Sequence, residues 1–326
     1  MDNRLAALTR WLGGALAGRE FTLAPASADA SFRRYFRATT GDGATAIAVD
    51  APPEHEDSAA FVRVARLLRD AGLHAPEVRA QDLAQGFLLV EDLGTASYLD
   101  ALNGASEPSA AALMKDATAA LIRWQLATKP GVLPPYDEAL LRRELALFPE
   151  WYLGRHLGRR LAATALEDWE AVCAALVASA LAQPAVYVHR DYMPRNLMVC
   201  EPNPGVLDFQ DAVTGPITYD LASLTRDAFI SWEEARVLDW AARYWEAARR
   251  ARLPVDADFA EFWRALEWMG LQRHLKVLGI FARLTYRDGK PKYLADTPRF
   301  LGYARAAARR YVALAPLARL LEGLPA

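Results

Sequence analysis

The pattern of apolar and polar positions divides the chain into two parts of different character. From Phe21 to about Leu93, short apolar runs alternate with turns and indicate a small antiparallel sheet of about five strands. The clearest predicted strands are Tyr35–Thr39, Ala44–Val49, Val78–Gln81 and Phe87–Val90. Among them, Asp57–Ala71 has its apolar residues at helical spacing and is followed by Gly72, a typical helix stop, so we expect one helix on this sheet.

Beyond Glu91–Gly94, long alanine- and leucine-rich stretches at helical spacing dominate. They are Ser109–Thr128, Glu138–Phe148, Leu166–Leu181, Trp232–Arg252, Phe259–Leu284 and Pro298–Leu321. The one extended interruption is Val186–Gln210. We therefore predict an α+β chain of two lobes, with a small antiparallel-sheet lobe at 1–93 and a mostly helical lobe at 94–326.

Composition and charge exclude several classes of function. A formal net charge of −2 provides no basic field for nucleic acid. Charged residues interrupt every apolar segment before the ~18 residues that a membrane span needs, and the N-terminus lacks the features of a signal peptide. Cys173 and Cys200 lie too far apart to indicate a disulfide framework or a zinc site. We expect a soluble, cytoplasmic chain that binds neither nucleic acid nor membrane; the pattern indicates no oligomeric state.

The interruption at Val186–Gln210 contains three oxygen-bearing side chains at informative spacing. The apolar runs Leu197–Cys200 and Val206–Phe209 flank a turn and predict a hairpin. Such a hairpin places Asn196 and Asp208 at its open end, beside the loop that holds Asp191. The three side chains are therefore expected to converge.

This set suits phosphoryl transfer. The reaction needs a carboxylate to deprotonate the acceptor hydroxyl, for which Asp191 is the candidate, and hard oxygen ligands for Mg²⁺, for which Asn196 and Asp208 are the candidates. The spacing matches the H-R-D-x-x-x-x-N loop of kinases, and Asp208-Phe209-Gln210 stands in place of D-F-G. A lone His-Arg-Asp is usually a solvated turn, but the joint pattern with the hairpin is far more specific.

Two further residues are expected to support this loop. His189 is predicted to brace it from the interior rather than to act as an acid or base. Asp220 begins a predicted helix at Tyr219–Leu224. It is either a helix cap alone, or it also accepts hydrogen bonds from the loop and holds Asp191 in place.

With these residues in hand, the chain resembles the aminoglycoside-phosphotransferase/choline-kinase superfamily across nearly its whole length. Within it, the likeness is to bacterial N-acetylmuramate/N-acetylglucosamine anomeric kinases of peptidoglycan recycling. Besides the loop, the motifs that suggest this are Ala30–Arg37, Val49–Pro53, Leu89–Gly94, Asp208–Ala212 and Gln272–Phe281. The resemblance implies a bilobal protein-kinase-like fold, the cofactors ATP and Mg²⁺, and phosphoryl transfer to the anomeric hydroxyl of an amino sugar, which gives the sugar 1-phosphate.

The phosphate-binding elements depart from the wider kinase pattern. No glycine-rich loop precedes Arg34, and we expect Ser31 with backbone amides to cradle the phosphates and Arg33 or Arg34 to supply charge. The alternative is that these arginines are exposed strand-edge residues. The strand Thr45–Asp50 also lacks the usual phosphate-binding lysine. We hypothesise that an arginine from Phe32–Arg37 replaces it.

The remaining site predictions concern adenine and the acceptor. Glu91 and Leu93 lie at the lobe junction, where kinases bind adenine through backbone groups. The segment Glu267–Lys292 is locally basic, so Arg273 and Lys276 are candidates to bind the carboxylate of an acidic amino sugar. The competing interpretation of this segment is a solvated helix face.

Two other functions stay open from the residues alone. One is a kinase for another small hydroxyl acceptor, such as an aminoglycoside. The other is a nucleotide-binding pseudokinase, which is favoured by the absence of both the strand lysine and the glycine-rich loop. The intact set of Asp191, Asn196 and Asp208 argues against a pseudokinase, because a protein that does not catalyse phosphoryl transfer has no chemical need for all three.

Overall fold

The structure is a computed structural model that describes residues 3–28 and 32–325. Its contacts divide the chain into two compact units. The first comprises Met1–Ala101 and Arg195–Asp211, and the second comprises Leu102–Pro194 and Ala212–Ala326. The break predicted after residue 93 differs from this division, because a later segment of the chain returns to the first unit.

The first unit contains a five-stranded antiparallel sheet in the order β1-β2-β3-β5-β4. The strands are β1 (Phe21–Ala28), β2 (Arg34–Thr40), β3 (Thr45–Asp50), β4 (Val78–Asp82) and β5 (Phe87–Glu91). The predicted sheet of about five strands is confirmed. The predicted helix is also present as α2 (Ser58–Asp70), where the Asp57 side chain accepts a hydrogen bond from the Ala60 amide at 3.0 Å and Gly72 takes a φ of +76°.

One face of this sheet is covered by α1 (Asn3–Ala15). Leu8 and Leu12 of the helix pack against Ala46 and Ala48 of β3. Since side chains alternate across a strand, Ile47 and Val49 point to the opposite face. That second face carries the candidate site.

The returning segment of the first unit forms a short hairpin. It consists of β7 (Leu197–Met198) and β8 (Gly205–Val206), with Leu197 opposite Val206. The predicted hairpin is therefore present with shorter strands. Its backbone is joined to the rest of this unit by hydrogen bonds from the Val199 amide to Ala96 and from the Val206 amide to His74, both at 2.8 Å.

The second unit is mostly helical. Its helices are α4 (Glu107–Leu126), α5 (Glu138–Leu147), α6 (Ala163–Leu181), α7 (Tyr219–Thr225), α8 (Glu234–Arg250), α9 (Phe259–Tyr286), α10 (Thr297–Arg310) and α11 (Ala315–Glu322). A short helix, α3 (Tyr98–Leu102), precedes them, and a π-helical segment, Phe148–His156, extends α5. Two antiparallel strands, β6 (Ala185–Val188) and β9 (Val213–Pro216), lie among them.

Helix α9 forms the centre of the second unit. It is buried without interruption from Leu266 to Gly279. At Gly279 it approaches the end of α5 so closely that a Cβ atom would lie 2.4 Å from the Leu147 carbonyl. Polar residues on this stretch must therefore find partners inside the protein.

The C-terminal helical region differs from its prediction. The stretch Pro298–Leu321 is not one helix, because Tyr311 is extended between α10 and α11. Pro316 lies in the first turn of α11, a position that begins a helix and does not continue one. No helix within residues 3–28 and 32–325 has the length and apolarity needed to span a bilayer.

Candidate active site

A cavity of about 310 Å³ lies in the first unit, on the face of the sheet away from α1. It is lined by Tyr35 and Arg37 of β2, Ile47 and Val49 of β3, Phe61 of α2, Val90–Thr95 and Ser97, and Arg195, Asn196, Met198, Leu207 and Asp208 of the returning segment, with Ala26 and Pro76. The strand registers place Tyr35 opposite Val49, and Ile47 opposite both Arg37 and Val90. The cavity therefore combines an apolar wall with a polar end.

The predicted adenine-binding residues belong to this cavity. Glu91 and Leu93 line it, as do Ile47 and Val90 from the two central strands. Val90 is buried and Ile47 is partly exposed. An apolar wall with a few polar groups beside it is the usual composition of a small-molecule site.

The polar end of the cavity contains the two predicted metal ligands. Asp208 has a φ of +61°, and one of its oxygens accepts a hydrogen bond from the Asn196 amide nitrogen at 3.3 Å. Its other oxygen accepts one from the Gln210 amide nitrogen at 2.9 Å. The two candidate ligands are thus in contact, and Gln210 orients the carboxylate.

This pair of oxygen donors suits Mg²⁺, and it is too small to enclose a metal ion with protein ligands alone. Among the described residues, no group of three or more His, Cys, Asp or Glu side chains could hold an ion by itself. Mg²⁺ is usually held by one or two protein oxygens together with water and substrate phosphates. One carboxylate and one amide at the edge of a ligand-sized cavity meet that requirement.

The arginines proposed to contact phosphate have three different environments. Arg33 pairs with Glu56 at 2.6 Å. Arg34 donates to Asp50, a fully buried carboxylate that also accepts from Arg4 at 2.9 Å. Ser31 lies outside the described residues.

Arg37 is the member of this group that lines the cavity. It donates to Asp92 at 2.6 and 3.0 Å and to the Gly94 carbonyl at 3.0 Å. This ion pair raises the pKa of Arg37, chiefly through the hydrogen bond with Asp92. The guanidinium is therefore a permanent positive charge in the cavity wall.

The first part of the predicted catalytic loop, residues 189–194, lies in the second unit, directly after β6. Asp220, in the first turn of α7, accepts hydrogen bonds from the backbone amides of His189 at 2.7 Å and Arg190 at 3.0 Å. Arg190 has a φ of +76°, a conformation that non-glycine residues adopt only when held. Asp220 thus makes the loop hydrogen bonds that the sequence left as one of two alternatives.

His189 supports the loop from the interior. It is buried, its ring lies 5.6 Å from the Tyr192 ring, and its Nδ1 atom accepts a hydrogen bond from the Asp191 amide at 3.3 Å. Asp191 itself is partly exposed. The candidate base is therefore placed by backbone bonds on its own loop while its carboxylate keeps access to solvent.

The environment of Asp220 raises the pKa of its carboxyl group. Complete burial raises it to about 7, although the amides of His189 and Arg190 and the charge of Arg273 act in the opposite direction. Arg273 is 3 % exposed. Its side chain is enclosed on α9, where its charge lowers the pKa of Asp220, and its predicted contact with substrate stays a prediction.

Lys276 is also buried, and its ammonium group lies 2.9 Å from Glu144 of α5 and 3.1 Å from the Tyr219 hydroxyl. The interpretation of Glu267–Lys292 as a solvated helix face is wrong for Glu267, Arg273 and Lys276, because this part of α9 is enclosed by the second unit. A substrate contact by Lys276 stays a prediction.

Sequence reasoning missed three residues of these sites. Glu144 is buried in contact with the catalytic loop, and nothing in its helical stretch separates it from other glutamates. Arg37 was included only within a range, although its position on the second strand indicated its face. Gln210 was noted as a departure from D-F-G, and its contact with Asp208 could have been inferred from that place in the motif.

The sequence is similar to those of known phosphotransferases and kinases. The model of the family described as "Phosphotransferase enzyme family" matches residues 22–267. A protein of Pseudomonas aeruginosa named N-acetylmuramate/N-acetylglucosamine kinase is 56% identical over 93% of this chain and 88% of its own length. A protein of the same name from Neisseria meningitidis is 50% identical over 97% of this chain and 95% of its own length.

A solved structure supports the fold independently. An ADP-bound aminoglycoside phosphotransferase superimposes with a TM-score of 0.59 at 15% identity, over 93% of this chain and 98% of that chain. At this identity the similarity shows the fold, which is the predicted bilobal kinase-like arrangement. The family match and the two relatives of 50–56% identity show that the chain belongs to the phosphotransferase enzyme family.

Proposed function

We propose that this protein is an ATP-dependent kinase that phosphorylates the anomeric hydroxyl of N-acetylmuramate and N-acetylglucosamine. The observation that carries the choice of acceptor is the identity of 50–56% to the two relatives of that name over nearly the full chain. The chemistry is supported separately by the loop at Asp191 and the contact of Asn196 with Asp208. Cell-wall recycling is the corresponding role.

In this proposal Asp191 is the general base. Its carboxylate takes the proton of the acceptor hydroxyl as the acceptor oxygen forms a bond to the γ-phosphorus of ATP. The bond from the γ-phosphorus to the β–γ bridging oxygen breaks, and ADP leaves. The products are the sugar 1-phosphate, ADP and a proton on Asp191 that is later released to water.

Asn196 and Asp208 are the residues that would hold Mg²⁺, which supplies charge neutralisation for the nucleotide phosphates when it is bound. The protein's own contribution is to fix these two oxygen donors. The Gln210 side-chain amide donates to one oxygen of the Asp208 carboxylate, and the Asn196 side-chain amide donates to the other. The left-handed backbone of Asp208 aims its side chain into the cavity.

The cavity of the first unit is the proposed nucleotide site. The backbone from Glu91 to Leu93 would bind adenine, and Ile47 and Val90 would contact the base. Arg37 is the cation of the Phe32–Arg37 segment whose position suits the missing lysine, because it lines the cavity. Arg33 and Arg34 pair with carboxylates, as Arg37 does with Asp92, but they are not among the residues that line the cavity.

The proposal is tested by measuring ADP release with Mg²⁺-ATP against a panel of acceptors. The panel contains N-acetylmuramate, N-acetylglucosamine, glucose, choline and kanamycin, with Asp191→Asn as the catalytic control. We expect turnover with the two N-acetylated amino sugars. The product should release phosphate in mild acid, as a sugar 1-phosphate does and a 6-phosphate does not.

Each alternative has its own outcome in this experiment. Turnover of kanamycin without the amino sugars would make the protein an aminoglycoside kinase. Absence of turnover with every acceptor, together with nucleotide binding, would support a pseudokinase. An acid-stable product would reject the anomeric hydroxyl as the site of transfer.

A further inference from the structure

The carboxylate of Glu144 is buried in the second unit and accepts four hydrogen bonds from three parts of the chain. Its Oε1 atom accepts from the Arg190 guanidinium at 2.6 Å and lies 2.9 Å from the Lys276 ammonium. Its Oε2 atom accepts from the Gln272 amide at 3.2 Å and from the Tyr136 hydroxyl. We call these five residues the Glu144 cluster.

The Glu144 cluster holds one carboxylate against two full cations. Burial by itself would raise the pKa of Glu144, but Lys276, Arg190 and the Tyr136 hydroxyl lower it to about 2. Its side chain is 6 % exposed, and those of Arg190 and Lys276 are 19 % and 9 % exposed. Loss of the carboxylate would therefore remove the anion that lies between two enclosed cations, an arrangement that is strongly unfavourable.

Arg190 connects this cluster to the catalytic loop. It is the central residue of His189-Arg190-Asp191 and has a left-handed backbone. Its amide is bound by Asp220 and its guanidinium by Glu144, so two carboxylates on different helices hold one residue. Asp191 follows it directly, so a displacement of Arg190 would be passed to Asp191 through the backbone.

We propose that Glu144 is a positioning residue for the catalytic base, acting through Arg190, and that Lys276 serves as the second cation of this cluster. The inference rests on the proposed function, because it takes Asp191 as the base. It extends that function by assigning a role to α5, and it gives Lys276 an interior partner in place of the sugar. The conformation of Arg190 would then be fixed before any substrate binds.

The chain provides a matched control in a second buried carboxylate. Glu267 of α9 accepts hydrogen bonds from Arg226 at 3.1 Å, Arg310 at 2.5 Å and the Tyr311 hydroxyl at 2.6 Å. Like Glu144, it is therefore bound by two cations and one tyrosine hydroxyl, and here both cations are arginines. Among the described contacts, none of its partners belongs to residues 189–191.

The test compares Glu144→Gln with Glu267→Gln at a temperature where both variants are folded. Glu144→Gln is expected to lower kcat about 100-fold, because displacement of a catalytic group by about 1 Å has that effect, with the KM for ATP within about twofold of wild type. Glu267→Gln should lower the Tm and leave kcat within about threefold of wild type. A Glu144→Gln variant with wild-type kcat would overturn the proposal.

A double variant keeps the test valid if Glu144→Gln folds poorly. Glu144→Gln with Lys276→Met removes one anion and one cation, so the cluster keeps its net charge. We expect this variant to recover the Tm lost in the single variant while kcat stays about 100-fold low, because the Glu144 carboxylate no longer holds the Arg190 guanidinium. Recovery of kcat with Tm would show that the cluster contributes to stability alone.

Hydrogen exchange separates this proposal from the proposed function. The peptide that contains residues 187–193 should exchange faster in Glu144→Gln than in wild type, and at the wild-type rate in Glu267→Gln. This measurement needs no acceptor, so it holds even if no sugar is turned over. Equal exchange in all three proteins would overturn the role of Glu144 whatever the substrate.

Discussion

Left-handed backbone occurs at two residues that carry the proposed chemistry, Arg190 with a φ of +76° and Asp208 with a φ of +61°. For residues with a side chain this conformation costs about 1–3 kcal/mol and persists only where neighbouring contacts hold it. At Arg190 the amide donates to Asp220, and at Asp208 the carboxylate accepts from Gln210. Hydrogen bonds to carboxylates therefore accompany the left-handed backbone at both residues.

The first prediction concerns pH and Asp220, whose pKa burial raises to about 7. An unfolded aspartate has a pKa near 4, so between about pH 4 and 7 the native state binds a proton that the unfolded state lacks. The stability from this group is full below about pH 4 and is lost as pH rises through about 7. The ionised form, however, is the better acceptor for both loop amides, so kcat should rise over the same interval.

Wild type and Asp220→Asn are to be compared at about pH 6 and pH 8, by Tm and by kcat. Wild type should lose Tm and gain kcat from the lower to the higher pH, and the difference between the two proteins should isolate Asp220 from other titrating groups. The variant should also have a kcat about tenfold or more below wild type at the higher pH, since one charged acceptor is lost. Parallel pH profiles for the two proteins would contradict the assignment.

The second prediction concerns Gln210, which donates to Asp208 at 2.9 Å. Residues that orient a metal ligand typically contribute 10- to 100-fold to metal affinity. In the presence of a non-hydrolysable ATP analogue, added Mg²⁺ should raise the Tm. We expect Gln210→Ala to need about tenfold more Mg²⁺ than wild type for half of this increase. Thermal unfolding over a Mg²⁺ titration measures this without turnover.

The matched control for Gln210 is Gln85→Ala. Gln85 donates to Asp82 at 2.7 Å in the same unit, but the pair is exposed and lies outside the cavity. Its replacement should leave the Mg²⁺ requirement unchanged. An equal Mg²⁺ requirement in Gln210→Ala and wild type would leave Gln210 without a role at Asp208.

The residues that sequence predicts well are those whose chemistry is set by local spacing. Asp191, Asn196 and Asp208 follow from a motif within one short segment. Glu144 and Arg190 are 46 positions apart, and Arg37 and Asp92 are 55 apart. Such pairs depend on which elements pack together, and no local pattern of residue types contains that information.

At the scale of the element, β2 separates two functions by the alternation of its side chains. Phe36 packs on the side of the sheet that α1 covers, whereas Tyr35 and Arg37 line the cavity. Arg34 donates to the buried Asp50 at the end of β3. The strand therefore bears one arginine with a structural partner and another in the wall of the proposed nucleotide site.

The third prediction contrasts these two arginines. Arg37→Ala should raise the KM for ATP about tenfold, because it removes a charged donor from the cavity. Arg34→Ala should lower the free energy of unfolding by about 1–3 kcal/mol, since Asp50 loses one of its two cations, with little change in the KM for ATP. Chemical denaturation and steady-state kinetics measure the two effects.

Arg33→Ala completes this comparison, because its partner Glu56 differs from those of the other two. If the KM for ATP rises in Arg34→Ala or Arg33→Ala and not in Arg37→Ala, the replacement for the strand lysine lies elsewhere than proposed. If only Arg37→Ala raises it, the hypothesis of an arginine from Phe32–Arg37 is narrowed to one residue.

The apolar pattern of the sequence does not always predict where a helix ends. Apolar spacing in Pro298–Leu321 is continuous, yet the chain is extended at Tyr311 and a new helix begins before Pro316. The sheet and α2, in contrast, were predictable because a cap, a glycine stop and alternating side chains agree. Continuity of an apolar face does not by itself determine whether one helix or two carry it.

For the whole molecule, the catalytic motif is shared between the two units. The chain passes from the second unit to the first after Pro194, between Asp191 and Asn196, and returns after Asp211. A pattern followed along the chain assigns this segment to the helical part and predicts one boundary near residue 93. The division of units depends on contacts distant in sequence, so it could not be obtained from the pattern.

This division makes nucleotide binding and proton abstraction separable by mutation, which is the last prediction. Asp191 belongs to the second unit, whereas Asp208 lines the cavity of the first. Asp191→Asn should lower kcat about 10²- to 10⁴-fold, the usual contribution of a general base, and bind Mg²⁺ with an ATP analogue within about twofold of wild type. Asp208→Asn should lose the Mg²⁺-dependent part of that binding, because its carboxylate is the charged member of the proposed ligand pair.

Isothermal titration with the analogue, with and without Mg²⁺, measures both variants on one scale, and each serves as the other's control. The assignment of roles fails if Asp208→Asn binds the Mg²⁺ complex as wild type does. It also fails if Asp191→Asn retains kcat. Residues 189–196 contain no second carboxylate, so the base would then have to lie outside this loop. A loss of nucleotide binding in Asp191→Asn would instead mean that the two halves of the motif act as one site already in the binding step.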